Sequence, residues 1–234
     1  MPDFGFWSWP ETKIGSYSEI QLKASWVDSS QTWAQKKDKL LWRGALMGLE
    51  VREKFVDITA GKDWADVKAL DWHNKESMAN DLKSMDQHCE YKFLAHTEGN
   101  SYSGRLKYLQ NCRSVVVAHK IDWIQHHQPL MKNSGPEQNY VEVNRDFSNL
   151  EKVITDLRKN DKETEMIAER SVKVFKERNL TPAAEACYWR RLIRGWAQVS
   201  FKPELFTVVD GKKKLRGLPV ESYLLERRLE WEPY

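Results

Sequence analysis

No apolar stretch approaches the roughly 18 residues that a membrane helix needs, so no membrane span is expected. The first residues, MPDFGFWSWPE, lack a charged start followed by an apolar run and do not read as a signal peptide. An excess of one charge is also missing. The 37 basic and 34 acidic residues are well mixed and leave a formal net charge of +3, so no polybasic footprint is present and no nucleic-acid partner is expected. Local patches at Lys36, Lys37 and Lys39, and at Lys212 to Lys214, read as solvated faces or loops.

Catalytic signatures are equally scarce. The chain has no HExxH, no Gly-x-Ser-x-Gly elbow and no kinase signature. It has no P-loop or GxGxxG fingerprint, and no Asp-x-Asp pair of the kind that holds a divalent ion on a diphosphate. The six histidines, including the adjacent His126 and His127, do not fall at ligand spacing, so neither a metal site nor a bound cofactor is expected. Cys89, Cys112 and Cys187 show no CxxC spacing. Three buried thiols would account for them. Alternatively, Cys89 and Cys112 each precede a candidate strand, and a bridge at one end of a sheet would imply an oxidising compartment.

What is present is an ordinary globular composition, 41% hydrophobic and 30% charged, with eleven tryptophans. Three segments are expected. Residues 1–35 read as an extended N-terminal segment, residues 36–200 as a Rossmann-like domain, and residues 201–234 as a C-terminal extension with a short helix. Within the domain, LLWRGAL reads as a strand running into a turn at Gly44, and GLEVREKFVDI as a helix. Strands are expected at Ala65 to Leu70, Tyr91 to His96, Ser114 to Ala118 and Tyr140 to Asn144. Helices are expected from Ser103 to Asn111, from Asp122 to Met131, and from Lys162 to Arg178. Ser148 and Glu151 have capping-box spacing ahead of Leu150, Val153, Ile154 and Leu157. Thr181 and Pro182 open a last helix that carries Trp189, Leu192, Ile193 and Trp196. Alternating strands and helices predict an α/β fold with a parallel sheet and flanking helices.

Ligands bind such sheets at the carboxyl ends of the strands. The run EGNSYSGR falls there, directly after the strand at 91 to 96. Gly99 and Gly104 permit close backbone approach, Ser101 and Ser103 offer hydroxyls, and Arg105 can grip a phosphate with two parallel hydrogen bonds. Helix amides behind the loop would add to the attraction. Arg43 and Gly44, with Arg52 two helical turns further on, bring more positive charge to the same edge. A surface turn with a solvated arginine would also fit the pattern.

The motifs WRGA at 42 to 45 with Arg52, HCEYKFLAHTEGNSYSGRLKYLQNCRSVVVAH at 88 to 119, the Asp122–Trp123 pair, YVEVNRDFSNL at 140 to 150, IAERS at 167 to 171 and CYW at 187 to 189 occur in order. Together, over residues 4 to 200, they resemble the capsular-associated glycosyltransferases of family ninety, which include protein O-glucosyltransferases. The resemblance implies half of a two-Rossmann GT-B enzyme that moves glucose or xylose from a UDP-sugar to a protein or polysaccharide hydroxyl without a bound metal. It also implies a place in the endoplasmic reticulum or Golgi lumen. Carried over by motif, the donor contacts fall on Ala45, Arg52 and the loop Asn100, Ser101, Tyr102, Ser103, Gly104 and Arg105, with Arg52 and Arg105 as diphosphate clamps. The family's paired cysteines match Cys89 and Cys112. Its catalytic aspartate lies in an acceptor half that this sequence does not match, so no catalytic residue is assigned. A nucleotide-sugar-binding module without transfer activity is the alternative reading, and Asp3 reads as a solvated residue.

Overall fold

The computed structural model describes residues 1–9, 14–218 and 220–226. A parallel sheet is built from β1 (Lys37–Gly44), β2 (Ala65–Ala69), β3 (Tyr91–His96), β4 (Val115–His119) and β5 (Val141–Val143) in the spatial order β2-β1-β3-β4-β5. The chain is therefore α/β and Rossmann-like, as expected. β3 and β4 are buried at every position, because both faces of the sheet are covered and apolar residues are needed on each.

Successive side chains divide between two cores. Leu41, Leu94, Val116 and Ala118 pack on one side with α1 (Tyr17–Ser29) and α4 (Leu106–Leu109). Leu40, Trp42, Phe93, Ala95, Val115 and Val117 pack on the other, against α2 (Glu50–Thr59), α5 (Leu150–Lys159) and α6 (Asp161–Ser171). Each fully buried Leu, Val or Phe contributes roughly 1.5–3 kcal/mol, so the two cores hold the strand ends rigidly in register. The short helix α3 (Lys75–Asp81) follows β2. Cys89 and Cys112 are bridged at the entrances of β3 and β4, at the end of the sheet away from the loop at 98–105.

Two units are distinguished, 1–187 and 188–234, and helix α7 (Pro182–Val199) runs across their boundary. Within the second, β6 (Phe206–Val209) and β7 (Lys212–Leu215) form an antiparallel hairpin around Asp210 and Gly211, both at positive φ, and α8 (Val220–Glu226) follows. Thr181 caps α7 by accepting the Ala184 amide at 3.1 Å, as its sequence predicts, while Leu192, Ile193 and Trp196 are exposed.

Several expectations are corrected. The N-terminal segment contains α1, with Ser16 capping the Glu19 amide at 3.3 Å and Tyr17, Ile20 and Ala24 facing the core at i, i+3 and i+7. Residues 122–131 form turns and one 3₁₀ segment, Gln128–Leu130, because Pro129 lacks the amide that a continuing helix needs. The Ser148–Glu151 capping box is not formed. The Ser148 hydroxyl donates to Asp146 at 2.7 Å, while Glu151 pairs with Lys62. The helix expected to Arg178 is α6 followed by a π-helical stretch, Val172–Asn179.

Candidate functional site

The strand order reverses between β1 and β3, so the crossovers leave a crevice beyond the carboxyl ends of these two strands. A cavity of about 560 Å³ opens there. Of the predicted residues, Arg43, Arg52 and all of Gly99, Asn100, Ser101, Tyr102, Ser103, Gly104 and Arg105 line it. Gly44 and Ala45 lie behind the wall. A Cβ on Gly44 would come within 2.8 Å of the Trp42 ring and 3.0 Å of Arg105 Nη2, so glycine leaves the passage that Arg105 occupies.

The arginines divide by partner. Arg43 is 5% exposed and ion-paired with Asp66 at 2.6 Å, and its Nε and Nη1 donate to the Asp81, Trp42 and Asp66 carbonyls. Its charge is matched, and it ties β1 to β2. Arg52 is also 5% exposed, but its hydrogen bonds among the described residues go to carbonyls and a thioether: Nε donates to Glu98 at 2.9 Å, and Nη1 to Ala45 at 2.6 Å and to Met47 Sδ at 3.3 Å. Arg105, half-buried, makes no side-chain hydrogen bond or ion pair among the described residues, and its guanidinium lies over the Trp42 ring. Burial and the neighbouring charge of Arg52 push the Arg105 guanidinium down to about 10, which still leaves it cationic at neutral pH. Burial likewise lowers Arg52.

Lys83, in the stretch after α3, also lines the cavity, and among the described residues it makes no ion pair within 4 Å. Among the described residues, no aspartate or glutamate contributes to the wall. A cavity that Arg52, Arg105 and Lys83 line without an ion pair, and with no acid among its described lining residues, favours an anion, and guanidinium groups match phosphate oxygens bidentately. The remainder of the wall is apolar or aromatic, including Trp9, Trp72, Leu70, Leu82 and Met85. An amphipathic ligand with one anionic and one flat or apolar part suits such a wall.

Sequence reasoning missed Lys83 and Trp9. Lys83 stands in a polar stretch with no periodic signal, and only the β2 crossover brings it to the crevice. Trp9 arrives through long-range anchors. Asp3 pairs with the buried Lys107 and caps the Gly5 amide at 2.8 Å, and Tyr108 donates to the Gly5 carbonyl at 2.9 Å. Asp3 is thus pinned and not solvated, and it also accepts from Tyr102 at 3.0 Å. The expected contribution of helix amides is weakened as well, since α4 has only four residues and little dipole.

Comparison with known sequences places the chain in a family. A family model described as glycosyl transferase family 90 matches residues 1–210. The chain belongs to that family. Similar relatives include an O-glucosyltransferase rumi homolog of Aedes aegypti, 27% identical over 85% of this chain and 52% of that protein. Protein O-glucosyltransferase 1 of Homo sapiens is 26% identical over 84% of this chain and 53% of its own length. O-glucosyltransferase rumi of Drosophila melanogaster is 27% identical over 91% and 55%. The family 90 chain spans about half the length of the curated relatives it matches.

Proposed function

We propose that this chain is the donor-binding part of a glycosyltransferase that moves glucose or xylose from a UDP-sugar to a hydroxyl of a protein or polysaccharide acceptor. The observation that carries the reading is the cavity at the β1/β3 crevice, which has no acid among its described lining residues and in which Arg52 and Arg105 have no ion-paired carboxylate among the described residues. Family membership and the relatives named as protein O-glucosyltransferases support the activity and favour a protein acceptor. The GT-B architecture is part of the same reading. So is a place in the lumen of the secretory pathway, for which the Cys89–Cys112 bridge is the support.

In this reading an acceptor oxygen attacks the anomeric carbon, the glycosidic bond to the diphosphate breaks, and UDP leaves with its electron pair. Arg52 and Arg105 hold the departing diphosphate, and stabilising the charge that develops there lowers the barrier. The two guanidiniums and Lys83 take up that charge, so donor binding without a divalent ion is expected. The acceptor proton goes to a base outside the residues assigned here, a step worth on the order of 10²- to 10⁴-fold. Titration of UDP and of uridine into the chain in the presence of a chelator tests the reading. UDP binding with uridine much weaker supports it, and equal or absent binding overturns it.

A second reading, a nucleotide-sugar-binding module without transfer activity, is favoured by the engagement of Asp3 with Lys107, Gly5 and Tyr102, which leaves it no role as a base. Sustained release of UDP from a UDP-sugar by this chain with an acceptor would exclude it.

A further inference from the structure

Glu98 follows β3 and is 1% exposed, a carboxylate buried beside the cationic cavity. Its carbonyl accepts Arg52 Nε at 2.9 Å. Its amide donates to His119 Nε2 at 3.0 Å, and the other ring nitrogen of His119 donates to the Lys120 carbonyl at 2.8 Å. The carboxylate reaches the turn after β4. Oε1 accepts the Asp122 amide at 3.0 Å and the Trp123 amide at 2.8 Å. Oε2 meets Arg145, just past β5, at 2.9 Å, and Arg145 in turn pairs with Asp122 at 2.8 Å. A buried carboxylate is costly unless fully satisfied, and here two amides and a guanidinium satisfy it. One residue thereby joins the carboxyl ends of β3, β4 and β5 to the anion-facing Arg52.

We propose that Glu98 is a positioning residue that couples occupation of the anion cavity to the order of the Asp122–Trp123 turn. The inference rests on the UDP reading above. An anion held by Arg52 fixes the guanidinium, which fixes the Glu98 main chain and with it the acceptor of the two turn amides. Trp123 and Ile124 are 49% and 82% exposed, so the turn that becomes ordered presents an apolar pair at the carboxyl edge of the sheet. Neither Asp122 nor Trp123 lines the cavity, so protection of their amides by the ligand has to pass through the protein.

Charge alone gives the opposite sign. Removing a negative group beside Arg52 would tighten UDP binding if Glu98 acted only through its field, and would weaken it if Glu98 positions Arg52. The test is hydrogen exchange of the whole chain with and without UDP, together with UDP titration, for the unaltered protein, Glu98→Gln and Glu98→Ala. UDP is expected to slow exchange at the Asp122 and Trp123 amides by about fivefold or more in the unaltered chain. Glu98→Ala should lose that effect and about tenfold in affinity, with Glu98→Gln between the two because it keeps one acceptor oxygen. Should Glu98→Ala fail to fold, Glu98→Gln alone decides. Unaltered protein that binds UDP while its turn amides keep their exchange rates overturns the inference and spares the reading, as do variants that bind more tightly. Absence of binding by the unaltered chain overturns both.

Discussion

Arg52 and Arg105 share one aromatic neighbour, their guanidinium carbons lying 5.9 and 5.7 Å from the centroid of the Trp42 ring. Two cations this close repel each other, and burial together with that repulsion lowers the Arg105 guanidinium. The buried indole, held by its own hydrogen bond to Thr97 at 3.1 Å, offers both a partial counterweight through its π face. A bound diphosphate would supply the rest.

Arg43 and Arg105 should therefore fail in different ways. Arg43→Ala breaks the ion pair with Asp66 and is expected to cost about 3 kcal/mol of stability, read as a lower denaturation midpoint. Arg105→Ala removes an unmatched charge, so its midpoint should hold steady or rise while the ligand is lost. Equal destabilisation by both substitutions would contradict this division.

Gly104 faces Trp9. A Cβ there would lie 2.5 Å from the indole, so Gly104→Ala must push Trp9 out of the cavity wall. A penalty of about 1–3 kcal/mol is expected, divided between stability and UDP affinity. Trp9→Ala combined with Gly104→Ala should cost less than the sum of the single changes. Additive losses would show that the two residues do not act on each other.

Much of this was legible in the chain. The strand runs, the loop after β3 and the Thr181–Pro182 helix start follow from local pattern, and the arginines from their position near the carboxyl ends of strands. Periodicity could not assign partners. Arg43 and Arg105 look alike in sequence, and only the β1–β2 register shows that Asp66 neutralises the first. Helix α1 was obscured by serines that cap its start and bond back to its own carbonyls, as Ser25 does to Gln21 at 2.8 Å. Trp9 and Lys83 reach the site through contacts distant in sequence, which no window of neighbouring residues reveals.

Mild acid should unfold the protein. Burial pushes His88 down to about 4 and His127 down to about 3, and it holds His96 well below the ordinary range. The unfolded chain takes up protons near pH 6.5, where the folded chain does not. Stability is therefore full above that pH and lost as pH falls from about 6.5 towards 4, by up to about 1.4 kcal/mol per pH unit for each histidine. Thermal melts from pH 7.5 to 4.5 measure the slope, which His127→Phe should reduce. A midpoint independent of pH over that interval would refute it.

The Cys89–Cys112 bridge closes a loop at the opposite end of the sheet from the cavity. Replacing both cysteines by serine is expected to cost roughly 3 kcal/mol of stability and to leave UDP affinity within about twofold where the protein is folded. Loss of binding in a folded, bridge-free chain would mean that the strand entrances also set the site.

The most direct test of the central claim, a donor site in which protein cations hold the diphosphate, is calorimetric titration of UDP into the chain without divalent metal, beside Arg105→Ala. The account predicts micromolar binding by the unaltered chain and about 100-fold weaker binding by the variant. Equal affinities, or no binding to a folded unaltered chain, would contradict it.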